Sequence, residues 1–259
     1  MIKIKSPGEI KILSEGGKIT ADVLHEVFKE VQPGVTTKYL DRLAERKILA
    51  AGGRPAFKGY KGFPATVCAN INAGIVHGIP NDRRLQDGDL LSLDLGVYYK
   101  GLITDTAWTV LVGGSSFKDQ SVIESRKRFL FAGRKALGEA LTACRSGGRI
   151  GDISAAIQGN IESAGYWVIR DLVGHGVGHD LHEDPQVPGF GRRGQGIKLE
   201  DGLVLAVEVI YAVGRTEIME KSDGWTIETK DRSLSGLFEE TVAIIESGPI
   251  VLTKIDDLW

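Results

Sequence analysis

Apolar residues recur every three to four positions along residues 7 to 32, at Ile10, Ile12, Leu13, Ile19, Val23, Leu24, Val27 and Phe28. That is the spacing of one buried helical face. "QPG" at 32–34 stops the segment, and Thr36 or Thr37 offers a cap for a second helix reaching about Ala50, ahead of Gly52 and Gly53. The pattern then turns strand-like. "ATVCANINAGIVHGIP" carries apolar residues between turn signals, and "GDLLSLDLGVYYKGLITDTAWTVLVG" predicts two strands joined around Tyr99 to Gly101. Helical spacing returns from Asp119 to Ala164 as two helices broken at "RSGGRIGD", and a second strand-rich block runs from Tyr166 to Val251. Within it, "WVIRDLV" predicts a buried strand that enters a glycine-rich loop. Helices, strands, helices, strands, with no composition shift to mark a linker, predict an α+β fold of two halves around a sheet core.

Bulk properties narrow the function classes. A chain of 259 residues, 42% hydrophobic and 25% charged, has the composition of an ordinary soluble globule. A formal net charge of −2 and the lack of any Lys/Arg block give no reason to expect a nucleic acid or an anionic membrane as partner. Cys68 and Cys144 form no CxxC motif, so a disulfide framework is not expected and a reducing compartment suits them. "MIKIKSPGEIKILSEGG" lacks the apolar core of a signal peptide, and no run of 18 apolar residues exists. The expectation is a cytoplasmic protein that does not enter a membrane.

The candidate chemistry lies in acids and histidines set in unusual places. "GHGVGHDLHEDPQVP" brings His175, His179 and His182 together among Gly174, Gly176 and Gly178. Each glycine lowers helix propensity by about 1 kcal/mol relative to alanine, so this is no zinc-protease helix with two histidines on one face. Asp94 and Asp105 sit inside apolar strand patterns, Glu208 in the nearly all-apolar "GLVLAVEVIYAV", and Glu239 and Glu240 at the start of "GLFEETVAII". One such acid reads as a solvated strand face or as the partner of a base. Several in separate apolar strands suggest convergence, because acids are rarely buried without a partner or a metal. Converging carboxylates without counter-charge repel one another, and divalent cations would offset them while also accepting an imidazole ligand.

Taken together, "SPGEI", "VCANINAGIVHGIP", the Asp94/Asp105 pair, "GHGVGHDLHEDPQVP", Glu208 and "DGWTIETKDRSLSGLFEETV" resemble the type I, bacterial kind of methionine aminopeptidase, in order and over nearly the whole chain. About two dozen residues separate His182 from Glu208, too few for the helical insert of the type II enzymes. The resemblance implies a pita-bread (creatinase/aminopeptidase-like) fold, with two pseudo-symmetric α/β halves around a curved antiparallel sheet. It implies one catalytic domain over 1–259, with halves of roughly 1–117 and 118–259. It further implies removal of the initiator methionine ahead of a small second residue, by hydroxide held between two divalent metal ions (Co, Mn, Fe or Zn). By the same resemblance Asp94 chelates one metal, Asp105 and Glu239 bridge both, and His175 and Glu208 complete the second. Glu208 doubles as proton carrier, His77 and His182 face the substrate, and Tyr60, Phe63, Cys68 and Trp225 form the methionine pocket. The implied partners are N-termini of nascent polypeptides, with the ribosome as one place to meet them, and the implied state is a monomer. His179 and His25 match no family role and read as surface residues.

Four features depart from the family's pattern. Lys61 stands where a histidine is usual near the pocket rim, Val209 where a proline follows the glutamate, and Glu240 where a histidine follows the last ligand; "PGFGRRGQG" replaces the usual loop. None removes a ligand, but Glu240 adds an acid beside Glu239 that could alter metal preference. Two other readings compete. An Xaa-Pro peptidase or prolidase shares the ligands but usually carries a large N-terminal domain, and a non-catalytic peptide-binding protein on the same fold would be expected to have lost ligands.

Overall fold

Ser6 fixes where the first helix begins. Its hydroxyl accepts from the Glu9 amide at 3.3 Å, while the Glu9 carboxylate accepts from the Ser6 amide at 2.7 Å. This reciprocal cap satisfies two donors that a helix start leaves open. In the computed structural model, which describes residues 2–114 and 117–255, the helix so capped is α1 (Pro7–Phe28). Thr36 caps α2 (Thr37–Ala50) by accepting from the Tyr39 amide at 3.2 Å. Strands β1 (Arg54–Pro55), β2 (Cys68–Ile71), β3 (Gly74–Val76), β4 (Leu90–Tyr99) and β5 (Leu102–Leu111) follow. Then come α3 (Gln120–Ala143) and α4 (Ile150–Ser163), and after them β6 (Trp167–Val168), β7 (Val173–Gly176), β8 (Glu183–Pro188), β9 (Val204–Ala212), β10 (Ile218–Glu220), β11 (Ile227–Thr229), β12 (Ser235–Ala243) and β13 (Ile250–Val251).

The main sheet runs β1-β4-β5-β12-β9-β7-β8, with β2 on β4, β6 on β9 and β13 on β12; a small sheet runs β10-β11-β3. Every described pairing is antiparallel. Helices α1 and α2 bury Leu24, Val27, Leu40 and Ile48 against Leu91, Leu93 and Leu95 of β4. Helices α3 and α4 bury Phe129, Leu137, Ile153 and Ile157 against Val207 and Val209 of β9 and Phe238 of β12. Each pair covers the same kind of stripe that its apolar spacing announces.

One segment differs from its sequence reading. "WVIRDLV" is not a single buried strand: β6 ends at Val168, Trp167 is 55% exposed, and Arg170 and Asp171 face solvent in a bend. Two adjacent opposite charges inside an apolar run cannot follow it into the core, so the chain breaks there. His175 accordingly lies within β7, and the glycine loop comes after it.

The close approach of α3 to the sheet depends on Gly133. A Cβ there would lie 2.5 Å from the Phe238 ring and from the Tyr211 hydroxyl, which donates to the Phe129 carbonyl at 2.6 Å. Gly133→Ala is therefore expected to destabilise the fold by about 1–3 kcal/mol, the usual cost of overpacking, read as a lower thermal unfolding midpoint. An unchanged midpoint would mean that α3 can slide.

Candidate active site

Strand register assembles the site on one face of the main sheet. Cys68 of β2 pairs with Asp94, Asp94 with Ala107, Ala107 with Glu239, and Glu239 with Glu208. These residues form one row across five strands. Two residues along, on the same face, Gly96 pairs with Asp105, and Thr241 with Ala206, which pairs with His175. Thr241 links the two halves of that second row, since its hydroxyl donates to the Asp105 carbonyl at 2.7 Å and accepts from the Asp105 amide at 2.9 Å. Gly96, Ala107 and Ala206 leave space between the long side chains. Glu208 and Glu239 stand directly opposite, an arrangement that like charges disfavour.

All eleven residues singled out from the sequence line one cavity of about 270 Å³: Tyr60, Phe63, Cys68, His77, Asp94, Asp105, His175, His182, Glu208, Trp225 and Glu239. Phe57, Lys61, Val76 and Leu181 complete the lining. Lys61 is the residue that the resemblance placed near the pocket rim; Phe57, Val76 and Leu181 were not foreseen as walls, although an apolar Leu181 between Asp180 and His182 in an otherwise polar loop was a signal available in the sequence. Larger depressions of about 490 and 580 Å³ lie beside α3, but their described linings contain no histidine.

Four carboxyl groups share the cavity floor, and among the described lining residues Lys61 is the one formal cation. Burial, followed by the charges of Asp105 and Glu208, raises Asp94 well above the usual carboxylate range. Burial raises Asp105 to about 7 despite a bond from the Thr106 amide. Burial and then Asp105 push Glu208 well up, and burial with Asp105, Glu208, Asp94 and Glu240 does the same to Glu239. Burial lowers His175 and His77, which keeps both imidazoles neutral at pH 7.

Oxygens Asp94 Oδ1, Asp105 Oδ1 and Glu239 Oε1 are buried with no hydrogen-bond partner. Orphaned buried carboxylate oxygens are costly unless a cation meets them. One ligating atom each from Asp105, His175 and Glu239 falls within 4.8 Å of the others. His175 Nδ1 is 2.9 Å from the Gly176 carbonyl, the arrangement that fixes a metal-binding tautomer, and its Nε2 lies 3.5 Å from Glu208 Oε1. Oxygen and imidazole donors of this kind, four carboxyl groups facing a single lining cation, fit divalent metal.

The remaining site residues frame the opening. His182 stacks at a tilt over His175, with ring centroids 4.3 Å apart, and its Nδ1 is 3.0 Å from the Tyr60 hydroxyl. Desolvation, then the repulsion that a protonated His175, Lys61 and a protonated His77 would add, lower its basicity. His77 holds a left-handed backbone (φ +58°) just after β3, where the next amide, Gly78, donates to Asn70 Oδ1 at 2.8 Å. Phe63 and Trp225 meet edge to face at 5.2 Å, and Phe63, Cys68 and Leu181 belong to one buried apolar cluster. His25 is half-buried on α1; His179 is exposed and pairs with Glu9 at 3.0 Å.

Three departures lie off the cavity: Val209, packed against α3 and α4, Glu240 and the 188–196 loop. Glu240 faces the opposite side of β12 from Glu239, bonded to Trp108 Nε1 at 3.1 Å and to the Thr253 hydroxyl. Strand alternation thus removes it from the candidate ligands. The 188–196 loop seats on the start of α4, where the Gly194 amide donates to Asp152 at 2.8 Å.

Comparison with known proteins gives concordant likenesses. The chain matches the model of metallopeptidase family M24 over residues 11–246. It is 41% identical to methionine aminopeptidase 1 of Bacillus subtilis (strain 168) over 255 residues, covering 98% of this chain and 100% of that protein. It is 44% identical to the methionine aminopeptidase of Clostridium acetobutylicum over 255 residues, covering 98% and 99%. The crystal structure of methionine aminopeptidase from Thermotoga maritima superposes with a TM-score of 0.92 at 40% identity, covering 98% of this chain and 100% of that one. A prolidase from Pyrococcus furiosus, at 23% identity and a TM-score of 0.72, shares the pita-bread fold; this chain covers 66% of its length.

Proposed function

The chain belongs to metallopeptidase family M24, among its methionine aminopeptidases, and from that premise we propose that it removes N-terminal methionine from polypeptides whose second residue is small. The observation that carries this reading is the set of four buried carboxyl groups and His175 opening onto an apolar pocket walled by Phe63, Cys68, Leu181 and Trp225. A thioether gains from area burial and from sulfur–aromatic contact in such a pocket.

Asp94 would hold one divalent ion, Asp105 and Glu239 both of a pair, and His175 and Glu208 the second. Bound divalent ions supply Lewis acidity, which polarises the scissile carbonyl and makes water acidic near neutral pH. Glu208 takes a proton from the attacking water and hands it to the leaving amine. His77 and His182, kept neutral, donate to the carbonyl oxygen or the scissile amide. For His182 the Tyr60 hydroxyl is well placed to donate to Nδ1; the ring proton then sits on Nε2, where it is available to the substrate. The Phe63–Trp225 wall holds the methionine side chain and narrows the room left for the next residue. No described helix is long and apolar enough to cross a membrane. We take the metals from Mn, Fe, Co and Zn, the site of action as the cytoplasm and the working form as a monomer of one catalytic unit.

Metal-loaded protein is expected to release methionine from Met-Ala-Ser at least about 100-fold faster than it cleaves an Xaa-Pro peptide, a ratio that unpaired groups in the wrong pocket readily impose. Preference for the Xaa-Pro peptide would point instead to the prolidase branch, whose solved members share the fold at 22–23% identity. No turnover and no bound metal would leave a peptide-binding protein.

A further inference from the structure

Lys5 and Glu183 form an ion pair at 2.5 Å with both side chains 1% exposed, across 178 residues of sequence. Neither touches the cavity described above. The Glu183 carboxylate has three donors: Lys5 Nζ on Oε2, and the amides of His179 and Asp180 on Oε1 at 2.7 and 3.0 Å. It thereby closes the turn that leads into His182. Lys5 is itself held, since its amide donates to the Gly202 carbonyl at 2.7 Å and Nζ donates to the Lys3 carbonyl at 3.0 Å. The loop rests directly on the lysine stem: Gly178 has φ +145°, and a Cβ there would come within 2.5 Å of Lys5 Cε. Lys3 pairs with Asp180 and Glu9 with His179, so the chain's first residues grip the same turn at two further points.

Stability alone does not account for such a pair. Taking two charges out of water costs several kcal/mol each, and apolar replacements of similar volume often serve as well or better. What an apolar pair could not do is accept two loop amides while being anchored from outside the loop. We propose that Lys5 and Glu183 are positioning residues, a buried clamp by which the N-terminal segment sets the histidine loop and so aims His182 at the substrate. The role rests on the aminopeptidase reading given above.

A double-mutant cycle tests it on metal-loaded protein with Met-Ala-Ser. Lys5→Met is expected to lower kcat/KM about 10- to 100-fold, mostly through kcat, the scale on which small misplacements of a catalytic group act. Lys5→Arg, which keeps the charge, should restore most of it. In a His182→Ala background Lys5→Met should change kcat/KM by less than about 2-fold, because residues acting through one group are non-additive. An equal loss in both backgrounds would overturn the clamp, as would wild-type activity in Lys5→Met. Should Lys5→Met fail to fold, Glu183→Gln keeps the volume and gives the same cycle. Wild-type protein that leaves Met-Ala-Ser intact overturns the aminopeptidase reading and the clamp with it, whereas wild-type turnover with an additive cycle overturns the clamp alone.

Discussion

Asp105→Ala is expected to abolish metal loading and turnover together, lowering kcat by about 10³-fold or more under metal-saturating conditions. Asp105 stands in the second row of the site, next to the first: its carboxyl is one of the three groups whose ligating atoms cluster within 4.8 Å, and its charge acts on Asp94, Glu208 and Glu239 alike. Losing metal polarisation removes several kcal/mol of transition-state stabilisation, and each 1.36 kcal/mol is tenfold in rate. The backbone of Asp105 is held by Thr241 through main-chain atoms, so the strand should survive the truncation. Glu240→Gln is the matched control. It alters an acid adjacent to Glu239 that faces Trp108 and Thr253 instead of the cavity, and metal content should stay near that of the wild type. Elemental analysis with a Met-Ala-Ser assay decides both. Normal metal content in Asp105→Ala would contradict the ligand assignment.

Much of this was legible because buried acids are anomalies. Asp94, Glu208 and Glu239 interrupt apolar strand patterns, and a pattern that good is not interrupted three times by solvent-facing residues at the same strand depth. The helices were legible through the regular apolar stripes of α1 and α3, whereas the Ser6–Glu9 cap that starts α1 is seen only in the structure. Register was not. Nothing local to Ala107 or Ala206 says that they sit between Asp94 and Glu239, or beside His175, and their smallness acquires meaning only once the pairing is known. The same holds for Glu240, where a one-residue step along β12 exchanges the cavity for the other face. The run "WVIRDLV" is not one strand because Arg170 and Asp171 at its centre stay in solvent, which outweighs its apolar content. Lys5 and Glu183 are invisible as partners at a separation of 178 residues, since each alone reads as an exposed charge.

The second large effect concerns stability rather than rate: protein stripped of metal should lose stability as pH rises from 5 to 8, while the metal-loaded form should not. The folded, metal-free site holds Asp105 at about 7, and Asp94, Glu208 and Glu239 are pushed well above their usual range. In the unfolded chain these groups titrate near 4. Between the two ranges the native state keeps protons that the unfolded state has released, so the slope of unfolding free energy against pH is negative. Each retained proton is worth up to about 1.4 kcal/mol per pH unit. Bound divalent cations reverse the preference, because ligating carboxylates must be deprotonated and binding releases those protons. Other shifted groups, such as Glu240 at about 8 and the lowered His77, are present in both forms and cancel in the difference. The gap between the unfolding midpoints of chelated and manganese-loaded protein, at a fixed excess of manganese, should therefore widen steadily from pH 5 to pH 8. A gap that stays constant across that range would mean that the four carboxyl groups do not share one desolvated site, and Asp105→Asn, which removes one of the retained protons, should flatten the metal-free slope by its share.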